Sequence, residues 1–165
     1  MKANVLFSES IIMQVVHGQH DEAAALLGRA GGQLPVDQAK RLAAFVRIDK
    51  HKPEGVASIT KSNRTAYREH GTWIGYLYQL GTDLMDIEHW ADAEIVLDEL
   101  IALSKATDEF YFLDEAGLRR GLCLKYLDRK RELECLIAEI PAEAGAFICR
   151  EDLGGSIRLT RDHLT

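Results

Sequence analysis

Leucine, isoleucine, valine and alanine recur along this chain at three- and four-residue intervals, the spacing that gathers apolar side chains on one face of an α-helix. The clearest run is "YQLGTDLMDIEHWADAEIVLDELIAL", residues 78–103, in which Leu80, Gly81, Leu84, Leu97, Leu100 and Leu103 keep that spacing. Within it the polar stretch "DIEHW" closes one amphipathic segment and opens another. That predicts a helix, a tight turn and an antiparallel helix. A skeleton taken from this unit can be laid along the chain: a small or apolar residue, a small one twelve positions on, an aliphatic one four beyond. It fits Ile11–Ala23–Leu27, Ala43–Gly55–Ile59, Gly81–Ala93–Leu97 and, with a large residue in the middle slot, Gly121–Leu133–Ile137. The middle positions lie 32, 38 and 40 residues apart, within the period of stacked helical hairpins.

The pattern therefore predicts one all-α domain over residues 1–165, with about four hairpins near 4–30, 36–62, 66–104 and 108–141. Their turns are expected at Gly18, Lys50, Glu88 and Asp128. A cap over 142–165 is expected to follow "AEAGAF" and "DLGGS" and to finish in a short helix around 157–164. "GRAGGQLPVD" (28–37) stops one helix with glycines and starts the next with a proline and an aspartate. Thr107 and Asp108 are candidate N-caps for the helix that opens with "DEFYFLDEAG" (108–117). On that helix Phe110 and Leu113 are expected in the core, with Tyr111 and Glu115 on a neighbouring, outward stripe.

The unit at 73–104 resembles a tetratricopeptide repeat. It has the Leu80-Gly81 pair where two helices approach, Trp90 in the bulky slot after the turn, Ala93 at the close contact, and Leu97 and Leu100 facing the next hairpin. The likeness thins toward 8–30 and 38–62, and the closing proline is out of register. The resemblance implies a short right-handed α-solenoid whose first helices line a concave groove. Gly75, Tyr78, Thr82, Met85 and Asp86 of the third hairpin, with Glu115, Leu118, Leu122, Lys125 and Tyr126 of the fourth, would then line it. The same spacing suits plain packing of Tyr78 and Met85 between hairpins.

Charge changes the picture. The net charge is −6, but residues 73–118 hold eleven carboxylates against a single lysine. Such a segment disfavours phosphate backbones and attracts basic partners. It also carries much of the Tyr and Trp content, the composition of a protein-binding face. No segment has the ~18 apolar residues of a membrane span. Glu9 breaks the N-terminal apolar run and no cleavage pattern follows it, so no signal peptide is read. Three cysteines in no CxxC spacing suit a reducing compartment. A cytoplasmic protein is expected, in which the acceptor Asn63-Arg64-Thr65 stays unglycosylated.

Candidate chemistry is sparse. In "HGQHDE" (17–22) the pair His17 and His20 has a metal-ligand spacing, but the turn at Gly18 separates the imidazoles. His51, His70, His89 and His163 are scattered over expected turns, helix ends and the C-terminal stretch. Cys123 and Cys135 have no histidine beside them to activate a thiol. No glycine-rich phosphate loop and no G-x-S-x-G elbow occurs. The expectation is no metal, no cofactor and no catalytic residue. What remains is a protein-binding surface of Tyr78, Thr82, Met85, Asp86, Tyr111, Glu115, Leu118 and Tyr126, taking a basic peptide or protein rather than nucleic acid. The stretch "FYFLDEAGLRRGLCLKYLDRKRELECLIAEIP" resembles small bacterial helical-repeat immunity proteins that neutralise polymorphic toxins, which implies a basic toxin as partner. Two alternatives stay open: a regulatory or catalytic subunit with a site assembled from dispersed residues, and a self-associating scaffold.

Overall fold

The computed structural model describes residues 2–30, 32–57 and 72–165. They form seven helices, α1 (Lys2–Val16), α2 (His20–Ala30), α3 (Val36–Lys50), α4 (Thr72–Asp86), α5 (Trp90–Thr107), α6 (Leu113–Tyr126) and α7 (Lys130–Glu139). A two-stranded antiparallel sheet follows, β1 (Ala146–Arg150) paired with β2 (Gly155–Leu159), with Ile148 opposite Ile157. The chain is thus mostly helical, with neighbouring helices in contact and a small sheet at its C-terminal side.

Short turns join α1 to α2, α4 to α5 and α6 to α7, and all three are built alike. Gly18, Glu88 and Asp128 each adopt a left-handed backbone, with φ of 76°, 62° and 55°. In each, that residue's N–H bonds three positions back, and the next N–H bonds five back: Gln19 to Gln14, His89 to Leu84, Arg129 to Leu124. This is the paired capping that satisfies the last carbonyls of a helix and reverses the chain. These turns fall where the sequence expects them.

Close approach within the pairs rests on small residues. A Cβ on Gly81 would stand 2.8 Å from Leu97 Cδ2, so α4 and α5 touch there only because residue 81 has no side chain. In the next pair a Cβ on Gly121 would meet Leu133 at 3.5 Å and Leu164 at 2.6 Å. The glycine leaves room for the large Leu133 and for Leu164, which folds back from beyond the sheet. One continuous core runs through all of these elements. Helix α5 sits at its middle, in contact with α1, α3, α4 and α6 and buried on most of its circumference.

That position explains much of the acidic block. Glu94 and Glu99 are buried on α5, and basic residues from neighbouring elements meet them and Asp98. Arg120 Nε lies 2.9 Å from Glu94 and its Nη1 3.2 Å from Asp98, while Arg129 Nη1 lies 2.9 Å from Glu94. Arg41 Nε lies 2.9 Å from Glu99. Burial raises the Asp98 carboxyl above its usual range against the pull of Arg120 and Arg41. The same cause pushes Glu99 up to about 7. Part of the negative charge thus ties helices together instead of facing water.

Several expectations change. Residues 155–159 form a strand and 161–163 a single 3₁₀ turn, so the cap over 142–165 is a β-hairpin with a 3₁₀ turn, not a short helix at 157–164. The alternation in "AFICR", buried-exposed-buried, is the period of a strand. Asp108 does not start α6. It ends α5 in a left-handed conformation, and the Thr107 hydroxyl donates to the Leu103 carbonyl. Helix α6 begins only at Leu113, which leaves Phe110 in a turn and 56% exposed, not in the core. The second skeleton also shifts. Ala43 is exposed and Gly55 sits in a turn at φ 87°, because α3 buries Leu42, Phe45 and Val46 instead. The second helix expected after Lys50 does not begin within the described residues up to 57, where 54–57 form turns; its remainder to 62, the start of the third hairpin at 66, Ile59, Asn63–Thr65, Tyr67 and His70 lie outside the described residues.

Candidate functional site

A cleft of about 850 Å³ opens where α4 and α6 meet the β-hairpin. Thr82, Met85 and Asp86 line it from α4. Glu88 comes from the following turn, Trp90 from the start of α5, Arg119 and Tyr126 from α6, and residues 147–152 from the hairpin. The two helices supply these side chains because positions three, four and seven apart face the same way: 82, 85 and 86 on α4, 119 and 126 on α6. Trp90 and Tyr126 stack nearly parallel with centroids 4.3 Å apart. Trp90 is half-buried, one part of it packed against the core.

Arg119 fastens the hairpin to the helices. It is buried, and its Nη2 donates to the Phe147 carbonyl at 2.9 Å. Its Nε donates to the Tyr78 hydroxyl at 3.0 Å, and that hydroxyl donates to Glu115 at 2.6 Å. Burial, then the bond to Glu115, holds the Tyr78 phenol above its usual pKa. The Tyr78 ring lies flat on Phe112 at 4.2 Å, and Tyr111 meets Phe112 edge-on at 4.7 Å. An aromatic row, Tyr111–Phe112–Tyr78, thus leads to Arg119 and the cleft. Tyr111, at the far end of this row, is 84% exposed, and Phe147, on the hairpin side of the cleft, is 79% exposed.

Carboxylates rim the cleft. Partial burial, then Asp83 nearby, raises the Asp86 carboxyl above its ordinary value while Arg119 and Arg150 oppose the shift. Asp152 is lowered, first by the Tyr126 hydroxyl and then by Arg150. Tyr126 is raised by burial and by the same bond.

Of the residues expected to bind, Thr82, Met85, Asp86 and Tyr126 share this cleft, and Tyr78, Glu115 and Tyr111 form the adjoining row. Met85 is buried and contributes to the floor. Leu118 and Leu122 are buried in the core, where α6 meets its neighbours, so their side chains are not on the face. Sequence reasoning missed Glu88, Arg119, Phe147, Arg150 and Asp152. The period-two run 146–150 followed by Gly154-Gly155 is the signal that marks a hairpin and would have placed Phe147 outward.

A second buried cluster of titratable groups surrounds Asp49. His20 Nε2 lies 2.7 Å from it, Lys52 Nζ 2.7 Å, and the Tyr76 hydroxyl bonds its second oxygen. All three neighbours converge on one buried carboxylate, which joins α2, α3 and α4. His17 is exposed and points elsewhere, and among the described residues no group of three or more His, Cys, Asp or Glu could hold a metal. Cys123 is buried, and its thiol is pushed up to about 12 by that burial; Cys135 and Cys149 are exposed. No described helix is long and apolar enough to cross a membrane. No family model, curated protein or solved structure matches this chain.

Proposed function

We propose that this chain is a non-catalytic protein-binding module, a short stack of tetratricopeptide-like hairpins that takes a basic partner on the face between α4 and α6. One observation carries the reading. Exposed Phe147 lines a cleft rimmed by Asp86, Glu88, Glu151 and Asp152, and exposed Tyr111 ends the aromatic row that leads away from it through Phe112 and Tyr78. Aromatic side chains give contact area at low entropic cost, and the carboxylates select and steer a positive partner. The three like-built turns and the small residues at 81 and 121 support the repeat reading. With the sequence resemblance to immunity proteins, the partner would be a basic toxin made in the same cell, and neutralisation would consist of covering its phosphate-binding surface.

An arginine- and lysine-rich peptide serves as probe, titrated at low and high salt against the wild type, Asp86→Lys and Glu115→Lys. Binding that weakens with salt, and weakens about tenfold or more in either variant, supports the reading. Affinity indifferent to salt and to both changes sinks it. Rescue of cell growth when the chain is co-expressed with the product of its neighbouring reading frame would test the toxin partner. The same exposed aromatics suit a second copy of the chain, and mass in solution at micromolar concentration separates that case.

A further inference from the structure

Arg150 stands in a niche shaped for a guanidinium. Its Cζ lies 4.6 Å from the Trp90 ring centroid and 5.3 Å from that of Tyr126. Nε is 2.9 Å from Asp152, Nη2 3.2 Å from Glu88 and Nη1 3.5 Å from the Met85 carbonyl. Two stacked rings and three acceptors thus surround one planar cation, whose side chain is 13% exposed. A guanidinium can stack on a ring and donate in its own plane together, which a compact ammonium cannot.

Most of this niche belongs to the helices and their turns. Met85, Glu88, Trp90 and Tyr126 lie there, and only Asp152 comes with the hairpin. The walls reach solvent, with the Glu88 side chain 68% exposed. The hairpin is held mainly elsewhere, by Ala146, Ile148 and Leu159 in the core and by Arg119 on Phe147. Arg150 ends β1, next to a tip that closes through Gly154 and Gly155 at φ 95° and 93°. Those anchors lie on the far part of the strands, where Ala146 pairs with Leu159, and not at the tip.

We propose that the Trp90–Tyr126–Glu88 niche is an arginine-binding subsite of the partner face, filled in this state by the chain's own Arg150. A partner's arginine takes the niche as Arg150 swings out. The inference rests on the basic-partner reading and sharpens it from positive charge to one side chain.

Arg150→Ala empties the niche. Acetyl-arginine amide, titrated in the full chain and followed by Trp90 fluorescence with Trp90→Phe as blank, is expected to bind the variant at least about tenfold tighter than the wild type. It should also exceed acetyl-lysine amide by a similar factor, and Glu88→Gln in the same background should abolish the difference. Equal response to the two amides, or no saturable response, overturns the proposal. If the alanine variant loses amide protection over 147–158, Arg150→Lys carries the test: arginine amide must bind it more tightly than the wild type, and failure overturns the proposal. If the basic peptide still binds in an Asp86-dependent way while the amides are not distinguished, only the niche assignment fails. If arginine amide binds and no basic peptide does, only the partner reading fails.

Discussion

Arg41 on α3 reaches across to Glu99 on α5, fifty-eight residues away in sequence, and its Nε stands 2.9 Å from a carboxylate that is only 1% exposed. This pair joins α3 to the centre of the core, and Asp98 stands 3.8 Å from the same Arg41 Nε. Their pairing offsets desolvation only in part, since burial still dominates and lifts Glu99 from 4.5 to about 7.

The sign of the resulting pH dependence follows. A carboxyl whose folded value lies above its unfolded one binds protons more tightly when folded. The stability it contributes is complete below about pH 4.5 and is lost as pH rises through about 7. Glu99→Gln keeps an acceptor for Arg41 and removes the titration. Thermal unfolding from pH 5 to 8 should show the wild type losing about 1–3 kcal/mol relative to this variant. Parallel curves would show that Glu99 does not titrate there.

Gly81→Ala tests the contact between α4 and α5. The new methyl would start 2.8 Å from Leu97, which is itself fully buried, so the helices must part or Leu97 must leave its rotamer. A loss of about 1–3 kcal/mol is expected in chemical denaturation. Combined with Leu97→Ala, the two losses should be clearly less than additive, because the second change removes the clash.

Leu164→Ala should cost about 2–4 kcal/mol, although residue 164 lies beyond all the regular elements. Its side chain is buried and fills the space that Gly121 leaves open. A cost within experimental error would mean that this plug is not held in solution.

Arg119→Met removes the donors to Tyr78 and to the Phe147 carbonyl while keeping an apolar stem. Hydrogen exchange should speed over 147–158 far more than over α5, since the helices keep their own packing. Uniform loss of protection would instead place Arg119 in the global core.

The helices were legible because their signals are local. Gly18, Glu88 and Asp128 are turn residues between amphipathic segments, and Gly81 in its leucine frame marks a helix contact. The second unit slipped because α3 buries Phe45 and Val46 rather than Ala43, which a skeleton of small residues does not distinguish. Asp108 was misread because a polar residue between two helices can end one or cap the next, and only its φ of 56° decides. Charge was the larger trap. Nothing in the sequence of α5 says that Glu94 and Glu99 point inward, since their partners Arg41, Arg120 and Arg129 come from other elements. Likewise Thr82, Met85, Asp86 and Tyr126 could be grouped from helical faces, whereas Arg150 and Phe147 join them only once the hairpin folds back.

Glu88 sits in the turn position that Gly18 fills in the first hairpin, with φ 62° where a side chain strains the backbone by about 1 kcal/mol. Its carboxylate is also the one acceptor that the α4–α5 turn offers to Arg150. Local folding and the cleft therefore make opposite demands on a single residue. Laboratory evolution for heat resistance alone should drift to glycine at 88, and evolution for partner binding should keep the glutamate. The outcome of those two selections would show which demand has shaped the turn.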